Sequence, residues 1–113
     1  MFLHVVMMQL DNQVDAIFFE QIQAFVERVK SECDGLIMFH FGKNEADRAC
    51  GYEYVTSAIF VDAAAHDSYQ ISPAHTAMKA LMSPHMKDVV AYDGNVSDGL
   101  LITDALTNAN VLR

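Results

Sequence analysis

Residues 2–9 read FLHVVMMQ, a short and almost unbroken apolar run that ends just before the polar pair Asp11-Asn12. The run is far too short to span a membrane and has no basic residues ahead of it, so it reads as neither anchor nor secretory leader. An apolar segment of this length is the signature of a strand covered on both sides. Alternation sends Phe2, His4, Val6 and Met8 to one face and Leu3, Val5 and Met7 to the other. Helices can cover one of these faces. The second needs another cover, and a second copy of the chain is the simplest.

Working outward, Asp11 and Asn12 are good helix-capping residues, with Asp15 expected in the first helical turn, where a carboxylate suits the helix dipole. Val14, Phe18, Ile22, Phe25 and Val29 then recur at spacings of four, four, three and four, one apolar helix face. Asp34-Gly35 closes that helix with a residue that tolerates a left-handed turn. Strands are expected at about 36–41 (LIMFHF) and 52–61 (YEYVTSAIFV), joined by a polar loop from Gly42 to Cys50. Asp62 is placed to cap a helix over Ala63 to Gln70. Ser72-Pro73 starts another, with Ser at the cap and Pro in the first helical position, running to about Met82. A last strand is expected at about 88–92 (DVVAY). The order β-α-β-β-α-β predicts an α+β, ferredoxin-like protomer: a four-stranded antiparallel sheet with its helices on one face.

The chain has 113 residues, enough for one domain, and its 52% apolar and 19% charged residues exclude a disordered chain. Seven basic against fifteen acidic side chains leave a net charge of −8, which argues against nucleic acid and against an anionic membrane surface. Cys33 and Cys50 form no Cys-x-x-Cys pair, and two free thiols point to a reducing, cytoplasmic setting. The loop Gly42 to Cys50 has no glycine-rich cradle for a nucleotide, and no cofactor is expected. His40, with His66 and His85 read as exposed, shows no metal-ligand spacing, so no metal is expected; a site built from His and Asp of distant segments is the alternative. Seven methionines suit an adaptable core or an apolar pocket.

Several segments together carry a family resemblance: LHVVMM at the start, Gly51-Tyr52-Glu53-Tyr54, Ile59-Phe60-Val61, Tyr69-x-x-Ser72-Pro73-Ala74-His75, and Asp88-Val89-Val90-Ala91-Tyr92-Asp93. Over roughly residues 2 to 94 the chain resembles the dimeric α/β barrel (Dabb), or stress-responsive A/B barrel, family. The resemblance implies a homodimer, a dimeric α/β barrel in which two sheets pack face to face. It places a Dabb domain at 1–94. The remaining 95–113 open with turn-prone Asn95, Asp98 and Gly99 and read as a C-terminal extension packing at a subunit interface, with a frayed tail as the alternative. Function varies within the family. It includes a polyketide cyclase that performs aldol chemistry on a poly-β-keto substrate, a heat-stable protein assembled from dimers, and, among structural relatives, cofactor-free monooxygenases.

By motif, the cyclase's catalytic positions correspond here to His4, Tyr69 and His75. Its first-helix Tyr has no counterpart, since Phe18, Phe19, Ile22 and Phe25 occupy that region, and the family's frequent His before Pro is Ser72. His75 also stands on a physical footing of its own. As the third residue of a helix capped by Ser72, it faces the positive end of the dipole, which favours the neutral imidazole a general base needs. Tyr69 is positioned to aim a hydroxyl at a developing enolate oxygen. Structural readings remain open: His75 as a helix cap, Tyr69 packed at a surface edge, His4 as a hydrogen-bonded core residue. The function expected is a homodimer binding a small keto or aromatic ligand in an apolar cavity of each protomer, with cofactor-independent, cyclase-like proton transfer or aldol chemistry left open as its reaction. The alternatives are a non-catalytic structural oligomer and a monooxygenase-like relative.

Overall fold

The computed structural model describes residues 1–97. Its elements are β1 (Phe2–Leu10), α1 (Ala16–Glu32), β2 (Leu36–Lys43), β3 (Tyr54–Phe60), α2 (Ala63–Gln70), α3 (Pro73–Met82), a short 3₁₀ turn (Ser83–His85) and β4 (Met86–Asn95). The strands form one antiparallel sheet in the order β2-β3-β1-β4, the ferredoxin-like arrangement. The helix over Ala63–Gln70 and the one started by Ser72-Pro73 are both present, as expected, with the break between them at Ile71-Ser72. Pro73 supplies no N–H for a continuing helix, and the Ser72 hydroxyl accepts from the His75 N–H at 3.2 Å.

The first helix begins later than the sequence suggests. Its N-cap is Asp15, whose carboxylate accepts from the Phe18 N–H at 2.9 Å, rather than Asp11 or Asn12. Asp11 is engaged elsewhere: its carboxylate accepts from the Gln13 N–H and pairs with His85 at 3.1 Å, tying the β1–α1 loop to the turn before β4. Val26 rather than Phe25 completes the buried stripe with Phe18, Ile22 and Val29. β3 starts at Tyr54, because Tyr52 and Glu53 remain in the loop, and β4 is longer than predicted at both ends. β4 runs through Asn95, paired with Phe2. The interface reading of the C-terminal extension falls almost wholly beyond residue 97, outside the described residues.

The core fills the space between the helices and one face of the sheet. Met8, Phe39, Phe41, Ala58 and Phe60 from the strands meet Ile22, Val26, Val29, Tyr69, Ala74 and Met78 from the helices. Among the described residues no helix covers the opposite sheet face. Leu3, Val5 and Met7 on β1 lie beside Val55 and Ile59 on β3, with Val90 and Tyr92 on β4, so that this face is apolar across three strands. Val90 and Tyr92 are half exposed.

The turn between α1 and β2 holds the helical layer against the sheet. Gly35 has φ +77°, and its carbonyl accepts from the Val61 N–H at 2.8 Å. A Cβ at this position would stand 2.7 Å from the Ala65 Cβ and 3.0 Å from Val61 Cγ2. Gly35→Ala therefore combines left-handed strain with overpacking against α2. A loss of about 2–4 kcal/mol is expected from urea unfolding, and an unchanged midpoint would contradict this account of the turn.

Candidate functional site

Between α3 and the edge strand β4 a cleft of about 540 Å³ opens, with β1 along its floor. Its floor is His4, Val6 and Met8 of β1 with Val89, Ala91 and Asp93 of β4. Its roof is Tyr69, Gln70, His75, Met78, Lys79 and Met82. Four of the seven methionines, Met8, Met78, Met82 and Met86, line it. Flexible thioether side chains let such a wall adapt to ligand shape.

The structure brings His4, Tyr69 and His75 to this one cleft. The Tyr69 ring lies 4.6 Å from the His75 ring and 5.8 Å from the His4 ring, centroid to centroid. Tyr69 is 2% exposed, so it does not pack at a surface edge. Its ring wedges among Phe39, Phe60 and His66. Burial, with the nearby Asp93 carboxylate adding to it, pushes the phenol well above its ordinary value and keeps it a proton donor.

His75 has a fixed tautomer. Its Nδ1 lies 2.9 Å from the Gln70 carbonyl oxygen, which can only accept, so Nδ1 carries the proton and Nε2 carries the lone pair. Burial lowers its pKa, with Lys79 pushing the same way against the Gln70 carbonyl, and the ring is neutral at pH 7. The break between α2 and α3 makes this possible, because it leaves the Gln70 carbonyl free to meet a side chain five residues on.

His4, 5% exposed, is held by a network that the sequence does not reveal. Its Nδ1 donates to Asp93 Oδ1 at 2.5 Å. The β1–β4 register sets Asp93 directly opposite it. His66, read from the sequence as exposed, is instead buried at 7%. Its Nε2 lies 3.2 Å from His4 Nδ1 and 3.0 Å from Gln70 Nε2. The Gln70 amide nitrogen can only donate, so His66 Nε2 accepts from it and the ring is neutral. Burial, then the neighbouring His4, lowers its pKa. The signal that could have exposed this cluster was register: counting back along two antiparallel strands sets Asp93 against His4, and one turn before Gln70 sets His66 above them.

These two depressed histidines make stability depend on pH. The unfolded chain takes up their protons near the ordinary imidazole value of about 6.5, while the folded chain resists until lower pH. Stability should therefore be full above that value, fall as the pH drops below it, and level off below the folded pKa values. Thermal unfolding followed from pH 7.5 to pH 5 checks this, and a flat melting temperature across that window would contradict it.

Residues 2–96 match the family described as the stress responsive A/B barrel domain (Dabb). The chain belongs to that family. No curated protein matches this A/B barrel sequence. Among solved structures it is similar to a dimeric ferredoxin-like protein of unknown function from Jannaschia sp. CCS1 (22% identity, TM-score 0.74, 84% of this chain and 98% of that one). It is similar also to the hydroxynitrile lyase of Passiflora edulis (17% identity, TM-score 0.73, 86% and 94%). A third is an antibiotic biosynthesis monooxygenase (14% identity, TM-score 0.69, 86% and 99%). At such identities the likeness is one of fold. No helix among the described residues is long and apolar enough to cross a membrane.

Proposed function

We propose that this A/B barrel protein is a homodimer that binds a small apolar keto or aromatic compound in the cleft of each protomer and moves a proton on it. The observation that carries the reading is the His75 tautomer: a neutral ring, fixed by the Gln70 carbonyl, offering Nε2 beside the Tyr69 ring in a methionine-lined cleft. In this scheme Nε2 of His75 takes a proton from the carbon next to a ketone. Tyr69 donates its hydroxyl hydrogen bond to the enolate oxygen as negative charge develops there. His4, oriented by Asp93, serves as a second polar contact in the cleft. A hydroxynitrile lyase among the structural neighbours is in keeping with an enzymatic reading. Dimerisation is supported by the uncovered apolar sheet face and by the dimeric neighbour.

The test is hydrogen–deuterium exchange. A β-keto ester with an apolar tail is incubated in D₂O, and loss of its α-proton signal is followed by NMR. Catalysed exchange that saturates with substrate is expected, with a rate that rises with pH through a value below 6.5, the sign set by the lowered His75 pKa. Tyr69 remains protonated throughout the accessible alkaline range, so no alkaline fall from that group is expected. Exchange no faster than in buffer, for a ligand shown to occupy the cleft, would leave a binding protein and sink the catalytic reading.

A further inference from the structure

His4 and His66, both buried, and the carboxylate of Asp93 form a two-histidine, one-carboxylate set that the hydrogen-bond description does not exhaust. The three atoms that face one another are His4 Nδ1, His66 Nε2 and Asp93 Oδ1, separated by 2.5, 3.2 and 3.8 Å. A triangle with those sides has a centre about 1.9 Å from every corner, so a cation slightly above its plane would sit at the roughly 2.0–2.2 Å typical of first-row metal–imidazole and metal–carboxylate bonds. The donors come from three separate elements, β1, α2 and β4, which the sheet and the overlying helix hold in register.

The geometry points to a binding site for a divalent first-row transition-metal ion, with these three side chains as its protein ligands. His66 Nε2 carries a lone pair, which accepts from the Gln70 amide and would be released to the ion. His4 becomes a ligand by moving its proton from Nδ1 to Nε2, a tautomer change that leaves its charge unaltered. A set with two imidazoles selects such ions over Mg²⁺ and Ca²⁺, which prefer oxygen. His4, Asp93 and the adjoining Gln70 line the cleft, so the free coordination position faces it, an open site of the kind that takes water or a ligand oxygen. The site goes beyond the proton transfer proposed above and is measured by binding alone.

Tag-free protein, stripped with chelator, is titrated with Co²⁺ and Zn²⁺ by calorimetry and visible absorption. One ion per protomer should bind, Co²⁺ giving the d–d bands of a nitrogen-ligated, low-coordinate ion that Zn²⁺ displaces and Mg²⁺ does not. His66→Ala and Asp93→Asn should each weaken binding at least about 100-fold. His85→Ala, which removes the separate His85–Asp11 pair, should leave it unchanged. Asp93 is half exposed, so Asp93→Asn keeps the fold even where His66→Ala perturbs it. No saturable binding, or binding that survives Asp93→Asn or depends on His85, would overturn the assignment.

Discussion

His75→Ala is expected to slow α-proton exchange on an apolar β-keto ester by 10²- to 10⁴-fold, the range typical of a lost general base. The variant should remain folded, because the ring contributes one hydrogen bond to the Gln70 carbonyl and an edge contact to Tyr69, and otherwise borders the cleft. Far-UV circular dichroism and an unfolding midpoint near that of the parent separate loss of chemistry from loss of fold. Tyr69→Phe gives the companion result. It keeps the buried ring among Phe39, Phe60 and His66 while deleting the hydroxyl, and a loss of 10²- to 10³-fold is expected from one missing oxyanion donor. If His75 merely tidies the start of α3, both variants will exchange substrate at the parent rate.

The second large effect concerns the sheet face that no helix covers among the described residues. Val5 sits mid-strand on β1, opposite Ser57 of β3 and Tyr92 of β4, at the centre of the apolar surface assigned to the partner protomer. Val5→Asp places a carboxylate there, and a two-fold axis brings two such charges into one interface. Desolvating an unpaired carboxylate costs several kcal/mol, so association should weaken by at least about 10³-fold. Light scattering after size exclusion should find the parent at twice the chain mass of 12.6 kDa and the variant at that mass. A parent that runs as a monomer, or a variant that remains dimeric, would reject this face as the interface.

Much of the fold was legible because local chemistry and periodicity agree. The two apolar faces of FLHVVMMQ, the Ser72-Pro73 helix start and the left-handed Gly35 each act through near neighbours, and each stands where expected. The start of α1 was not legible. Asp11, Asn12 and Asp15 are all competent caps, and the choice was decided by His85, which engages Asp11 from a turn 74 residues away. His66 was missed for a similar reason. The sequence of α2, AAAHDSYQ, shows no apolar stripe that would mark its buried side, and its burial follows from Phe2, His4 and Phe60 on other elements. Asp93, after the apolar Val89-Val90-Ala91-Tyr92, looks like the polar end of a strand, and only the pairing with β1 reveals its partner.

That the cleft between α3 and β4 receives an apolar ligand is the central claim, and the protein carries its own reporters for it. Met8, Met78, Met82 and Met86 line the cleft, while Met7 and Met38 belong to strand positions outside it. With the methionine methyls labelled with ¹³C, titration with an apolar β-keto ester should shift the signals of the four cleft methionines saturably and leave Met7 and Met38 in place. Shifts confined to Met7 and Met38, or none at ligand saturation of solubility, would contradict it.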